Sequence, residues 1–500
     1  MSTPDPPDSL TAGLGDDLFT AADLDQLARA GIAPSEARRQ IELLRNPPPP
    51  TCVLRPCRPG DGIREIEASE RPRLLALAAG AAGAGRVSQF VPASGAASRM
   101  FKALMEDLEH PSEPPPREVA AFLAGLPRFA FYEDLAACLA SRGEDLDALA
   151  AAADPGARRA ILEHLLMPSG LDYSARPKGL IPFHRYPDGP RTAFEEHLVE
   201  AAQTIADRAG ACRLHVTVAP PFEADFRALL GRARERLEAR LGVRFEVDFS
   251  SQHPSTDTLA VDPAGRPFRQ DDGTLLLRPG GHGALIENLT EMAAAGGDLV
   301  LLKNIDNVLP DRGKPLVNLW RRLLLGYIVD LEARIAGLLD ELERWEDREA
   351  VAAAARLFDT ELGRPIPEGF HAAPLSAQRA ALVERLARPL RVCGVVRNTG
   401  EPGGGPFWVR SDRAGETSVQ LVETSQIDGE NPEQRNHLRS ATHFNPVDIA
   451  CALRDRRGRP FDLPRYIDQA TVFLSDKSHG GRTLRALERP GLWNGAMAGW

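Results

Sequence analysis

The sequence predicts an α/β fold built on a parallel or mixed sheet with crossover helices. Three observations carry this reading. Two β-prone segments, Arg213–Ala219 and Arg244–Ser250, flank the helical pattern FEADFRALLGRARERLEARL, and strands alternating with helices indicate crossover connections. A third segment, Asp298–Asn304, is a short continuous apolar run, as expected of a strand buried on both faces. Composition agrees: 43% hydrophobic and 26% charged residues are ordinary for a globular chain. The 43 Gly and 42 Pro in 500 residues fall short of the roughly 25–30% that marks low complexity.

In chain order, residues 1–17 are rich in Pro, Asp and Ser and are expected to be disordered. From Asp23 to Leu44, the positions Leu24, Leu27, Ile32, Ala37, Ile41 and Leu44 recur at about helical spacing until the stiff Pro47–Pro50 tract. A second helix is expected over Glu67–Gly80. The β-prone Ser88–Pro92, the small-residue stretch Ala93–Arg99 and the helical MFKALMEDLE then read as strand, turn and helix. Residues 111–170 read mainly as helix around Phe122, Leu126, Phe131 and Leu135. Residues 316–362 read as one or two helices, and β signals return beyond Leu390 in RVCGVVRN and SVQLVET. The expected organisation is a tail (1–17), a helical segment (18–85), an α/β domain (86–330), a second helical segment (331–389) and a β-rich portion (390–500).

Charge and cysteine usage exclude several classes. A net charge of −10 argues against nucleic-acid binding, which needs a strongly basic surface, but leaves room for a local basic pocket. The longest apolar run, Leu74 to Gly85, is too short for the roughly 18–20 residues of a membrane span, and the acidic N-terminus has no signal-peptide pattern. Six scattered cysteines without a C-x-x-C pair read as reduced, buried thiols of a cytoplasmic protein.

Four motifs could carry chemistry. Pro92–Met100 (PASGAASRM) places a small-residue turn between a strand and a helix, where backbone amides approach phosphate closely and Arg99 adds a bidentate contact. A tight packing turn with a surface salt bridge is the plain alternative. Arg176–Pro182 (RPKGLIP) offers Lys178 as a compact point charge, or simply an exposed loop lysine. Thr192 and Glu195, soon after, fit a capping box. In the third, Gln252–Thr258 is followed by Leu277–Ile286, where Gly280, Gly281 and Gly283 bare the backbone around His282. Such a loop can read a base edge; the alternative is a neutral histidine bonded to a carbonyl. No histidine has a partner at zinc-ligand spacing. In the fourth, Lys303–Val308, Asp306 follows a buried strand, where open α/β sheets place ligands and where a desolvated carboxylate is expected to be paired or metal-bound. A carboxylate there suits Mg²⁺; a simple turn is the alternative.

The order of the four motifs resembles the uridylyltransferases that make UDP-sugars. PKGLIPFHRYPDGPRTAFEEH is similar to their segment bearing the phosphate-binding lysine, and PGGHGALIENL to their P-x-G-H-G-D base loop. Nearly the whole chain, through THFNPVDIAC to PGLWNGAMAGW, is similar to a bacterial family filed as domain of unknown function 4301. The resemblance implies a nucleotide-diphospho-sugar transferase fold, GT-A-like and Rossmann-like, with a mixed sheet flanked by helices. It implies that Ser94, Gly95, Ala96, Ala97, Ser98 and Arg99 cradle nucleotide phosphates, with Arg99 on the leaving pyrophosphate. Lys178 would meet the α-phosphate, Asp306 would hold Mg²⁺, and Gln252, Gly280, Gly281, His282 and Gly283 would read uracil. Two departures stand out. The usual G-G-x-G-T-R loop reads Ser94-Gly95-Ala96-Ala97-Ser98-Arg99, in which Ala97 tolerates positive φ poorly, and Ala284 replaces the Asp after G-H-G. The implied activity joins a nucleoside triphosphate, UTP foremost, to a sugar-1-phosphate with release of pyrophosphate. The alternatives are a glycosyltransferase using a preformed nucleotide-sugar and a non-catalytic nucleotide-binding protein.

Overall fold

The computed structural model describes residues 18–500 except 153, 345–346, 401–403 and 411–415. The acidic tract 1–17, expected to be disordered, lies outside the described residues. The chain forms two compact units, one of Ala79–Ser251 with Leu301–Arg322 and one of the remaining residues. The 252–300 tract, which the sequence groups with the strands of 86–330, clusters instead with the N-terminal helices and the residues after 323.

In the unit of 79–251 and 301–322, the strands Val87–Pro92, Ala211–Thr217 and Arg244–Ser250 lie side by side and parallel. Ser88 is in register with Arg213, and Ala211 with Arg244. The strand Leu299–Lys303, in which the division between the units falls, runs next to Val87–Pro92. All five of its residues are buried, as its unbroken apolar run requires of a strand covered on both faces. The crossover helix Glu223–Leu241 ends where Gly242 turns left-handed at φ 68°. Between the first strand and the second, helices that include Lys102–Glu109, Arg117–Gly125, Tyr132–Ala140 and Pro155–Leu166 close over a core of Phe122, Leu126, Phe131, Leu135 and Leu162. Fully burying each such side chain stabilises by about 1.5–3 kcal/mol.

The helix Ala193–Thr204 starts at the expected capping box, in which Thr192 Oγ1 accepts from the Glu195 amide and Glu195 accepts from the Thr192 amide. One residue on, Glu196 is fully buried. Burial pushes its carboxyl up, but hydrogen bonds from His184, Lys314 and Tyr186 outweigh that and hold it below the usual range. Beside it, Arg191 grips Asp311 through two bonds of 2.8 Å and stacks on the Tyr186 ring at 3.6 Å.

In the other unit, the run from Asp23 to Leu44 forms two helices, Ala21–Ala30 and Pro34–Arg45, because Gly31 adopts φ 75° and Pro34 opens the second. After the Pro tract, between the two stretches read as helix in 18–85, Cys52–Pro56 pairs antiparallel with Gly405–Arg410. Gly405–Arg410 pairs in turn with Thr417–Val422. Leu390–Cys393 pairs antiparallel with Asp448–Ala452, and Phe473–His479, Arg482–Glu488 and Ala260–Val261 form a three-stranded antiparallel sheet. The long stretch 316–362 resolves into two helices, Lys314–Arg344 and Arg348–Thr360. The fold is thus mixed α/β, with a mixed sheet flanked by helices. All six cysteines are free; Cys57, Cys212 and Cys451 are buried, whereas Cys52, Cys138 and Cys393 are only half-buried. Among the described residues, no helix is long and apolar enough to cross a membrane.

The Arg191 contact has a pH signature. The guanidinium holds Asp311 at about 2, below its ordinary value of 3.8. Because the folded value is depressed, this stabilisation is complete above about pH 4 and is lost as pH falls towards 2. Asp311→Asn should flatten that part of the acid limb in urea melts from pH 5 to pH 2; an unchanged slope would show that other carboxylates set it.

Candidate functional site

The small-residue turn after Val87–Pro92 is anchored at both ends. The Ala93 amide donates to the Thr217 carbonyl on the neighbouring strand, and the buried Ala97 sinks into the core of those helices. Between these anchors Ser94, Gly95 and Ala96 are exposed, as are Ser98 and Arg99. Among the described residues, the amides of Ser94, Gly95 and Ala96 donate to no backbone carbonyl. No residue from 94 to 99 has positive φ. The turn therefore does not require the glycines of the G-G-x-G-T-R pattern, and Ala97 lies in a short 3-10 turn at ordinary dihedrals.

This turn is stitched to the second motif. Ala96 and Pro177 form an antiparallel bridge, with Ala97 N–H donating to Arg176 O at 3.1 Å and Lys178 N–H to Gly95 O at 3.2 Å. Pro177 opens a 3-10 turn over Lys178–Leu180. A Cβ on Gly179 would lie 2.7 Å from the Phe226 ring and 3.3 Å from Ile305 Cδ1, so only glycine lets this turn sit so close to the 305–306 segment. Lys178 consequently reaches Asp306, its Nζ 2.5 Å from Oδ2. The carboxylate is not desolvated, contrary to what its place after a buried strand suggests; its side chain is 38% exposed and its partner is an ammonium. Arg99 and Arg176 are exposed and, among the described residues, make no side-chain hydrogen bond or ion pair. The bridge thus joins the turn that carries Arg99 to the segment that carries Arg176 and Lys178, three cations whose chemistry suits a multiply charged anion. Arg176 lies within the motif singled out from the sequence, yet only the bridge brings it to the turn.

The third motif stands in the other unit. Gln252 Nε2 lies 3.4 Å from Asp257, and Thr258 bridges Arg278, closing the tract onto itself. Gly280 and Gly283 are buried, and here glycine answers to close backbone approach. A Cβ at Gly280 would lie 2.5 Å from the Thr256 carbonyl, and one at Gly283 only 2.0 Å from the Pro490 carbonyl. A Cβ at Gly281, where φ is 77°, would lie 3.2 Å from Glu488 Oε2. His282 is held by the C-terminal segment. Its Nδ1 accepts the Leu492 amide at 2.9 Å, and its ring stacks on Trp493 with centroids 3.9 Å apart and planes within 6°. An Nδ1 that accepts leaves the proton on Nε2, which points at Glu423 from 3.6 Å. Neither Trp493 nor Glu423 is marked by spacing; contact alone reveals them.

Ser94–Arg99, Lys178 and Asp306 therefore assemble within one unit, and Gln252 with Gly280–Gly283 within the other. Two substitutions separate tolerance from packing. Gly95→Ala meets nothing within 4 Å and should leave stability unchanged or raise it by up to ~1 kcal/mol. Gly283→Ala should cost about 1–3 kcal/mol through overpacking against Pro490. Parallel urea melts with equal midpoints for the two variants would overturn this assignment.

The family model described as domain of unknown function (DUF4301) matches residues 20–500. No curated protein matches the chain. Among solved structures, the UDP-N-acetylglucosamine pyrophosphorylase of Trypanosoma brucei, in complex with an inhibitor, is 13% identical with a TM-score of 0.42, covering 95% of this chain and 70% of that one. A point mutant of the UDP-glucose pyrophosphorylase of Leishmania major, in complex with UDP-glucose, is 11% identical with a TM-score of 0.42, covering 96% and 74%. A UDP-glucose phosphorylase of Trypanosoma brucei is 12% identical with a TM-score of 0.35, covering 94% and 70%.

Proposed function

The chain belongs to the DUF4301 family, and we propose that it is a nucleotidyltransferase joining UTP to a sugar-1-phosphate with release of pyrophosphate. The observation that supports the reading is the Ala96–Pro177 bridge, which joins the turn bearing Arg99 to the segment bearing Arg176 and the Lys178–Asp306 pair. The sequence resemblance to uridylyltransferases supplies the choice of nucleotide. The partners are then a nucleotide and a phosphorylated sugar, and the setting is the cytoplasm.

In this reading an oxygen of the sugar phosphate attacks the α-phosphorus in line, and the bond to the pyrophosphate oxygen breaks. The step needs positioning and charge neutralisation more than a covalent nucleophile. Arg99 and the amides of Ser94, Gly95 and Ala96 hold the departing β- and γ-phosphates; Ala97, buried and with its amide on Arg176 O, takes no part. Lys178 turns from Asp306 towards the α-phosphate, whose negative charge competes for the same ammonium.

Asp306 is the residue that would hold Mg²⁺. Among the described residues there is no group of three or more His, Cys, Asp or Glu side chains able to cage a metal. An exposed carboxylate, with one oxygen on Lys178, offers the hard anionic oxygen that Mg²⁺ prefers. When bound there, the ion would supply charge neutralisation for the transferring phosphate.

A panel of nucleoside triphosphates and sugar-1-phosphates, read by pyrophosphate release, tests the reading directly. UTP binding without release would leave a nucleotide-binding protein; consumption of UDP-sugar alone would indicate a glycosyltransferase. Arg99→Ala should weaken UTP by about 1.5–3 kcal/mol in calorimetry with the fold intact. Asp306→Asn should cut turnover by about two orders of magnitude while moving the unfolding temperature little. An Asn variant that unfolds, in a protein whose activity ignores EDTA, would make Asp306 structural.

A further inference from the structure

The segment that presents Asp306 is held from beneath by a fully buried histidine. His197, on the helix Ala193–Thr204, directs Nε2 at the carbonyls of both Asn304 and Ile305, each at 3.1 Å. Its Nδ1 lies 2.8 Å from Gln89 Nε2 on the strand Val87–Pro92. Gln89 Oε1 in turn faces Arg321 Nη2 at 3.3 Å. All three side chains are wholly buried.

The direction of every bond in this relay follows from one fact. A guanidinium only donates, so Arg321 claims the amide oxygen of Gln89 and leaves the amide NH₂ to face His197. Nδ1 must then accept, the ring proton resides on Nε2, and Nε2 donates to the two carbonyls preceding Asp306. Burial pulls the imidazole down to about 4, reinforced by Lys303 and Arg321 and opposed by Glu200, so the ring remains neutral.

We propose that His197 is a positioning residue for the Lys178–Asp306 pair: its Nε2–H, oriented through Gln89 by Arg321, fixes the 304–305 carbonyls and thereby the place of the Asp306 carboxylate. The proposal deepens the nucleotidyl-transfer reading of this surface and rests on it, because it names what keeps the phosphate-facing pair in register. His197 touches no substrate in this role. Its effect passes through two backbone carbonyls to one side chain.

The test reads the pair itself and does not depend on nucleotide. Acetic anhydride labelling of the full chain, followed by peptide mass spectrometry, reports the reactivity of Lys178, with the exposed Lys102 as internal control. Asp306→Asn should raise Lys178 labelling about fivefold, the scale of one net hydrogen bond. His197→Leu should raise it comparably, whereas His197→Gln, whose amide NH₂ can replace the Nε2 donor, should stay near wild type. Lys102 should be unmoved in all three. If His197→Leu labels like wild type while Asp306→Asn does not, the proposal is overturned; so it is if the Gln variant labels like the Leu variant. Should the Leu variant fail to fold, nitrogen-15 imidazole spectra of the unmodified protein still decide, since a proton on Nδ1 contradicts the scheme. UTP calorimetry on the same variants forms a separate arm: no UTP binding by wild type defeats the transferase reading and leaves the labelling result for His197 standing.

Discussion

A carboxylate withdrawn from water must be met by cations, and the helix Ala193–Thr204 carries two with no exposure at all, Glu196 and Glu200. Their counter-charges come from one stretch of chain. Lys314 reaches Glu196, while Lys303 reaches Glu200 at 2.8 Å and Arg321 lies 3.4 Å from it. Burial pushes Glu200 up, and the fields of Lys303 and Arg321 more than reverse it. Leaving either carboxylate unpaired would cost about 3–5 kcal/mol, so the 303–321 segment can be laid along this helix in only one way. Asp306 and Asp311 are carried on that segment, and the surface where Lys178 meets Asp306 inherits its place from the buried charges below.

The exposed turn depends on a different constraint. It needs neither positive φ nor bare glycine, so small side chains suffice where the G-G-x-G-T-R pattern uses glycine. What it needs is an edge to pair with, supplied by the Pro177–Lys178 backbone. Around His282 the logic reverses: Gly280 and Gly283 are there because carbonyls of Thr256 and Pro490 press on them. The same residue type thus marks an open surface in one motif and dense packing in another. From sequence the two read alike.

Much of the architecture was legible along the chain. The unbroken run of Leu299–Lys303, the pattern of Glu223–Leu241 and the capping box at Thr192 each report a local rule, either a periodicity or a bond three residues long. The run 23–44 shows the limit of such rules, for Gly31 and Pro34 divide it where apolar spacing continues. The placement of Cys52–Pro56 against Gly405–Arg410 was not legible, because pairing partners hundreds of residues apart leave no local mark.

The candidate site divides in the same manner. Sequence by itself singled out the side chains: Arg99 and Lys178 as cations, Asp306 as a carboxylate after a strand, His282 among glycines. Those identities depend on side-chain type and short spacing. Only the tertiary structure decided what each one touches. It brought Arg176 to the turn through a backbone bridge, gave Asp306 an ammonium partner at the surface, and set Trp493 and Glu423 on His282. It also revealed His197, whose importance lies in the direction of its hydrogen bonds. That direction is imposed by Arg321 through Gln89, across residues more than two hundred positions apart in the chain.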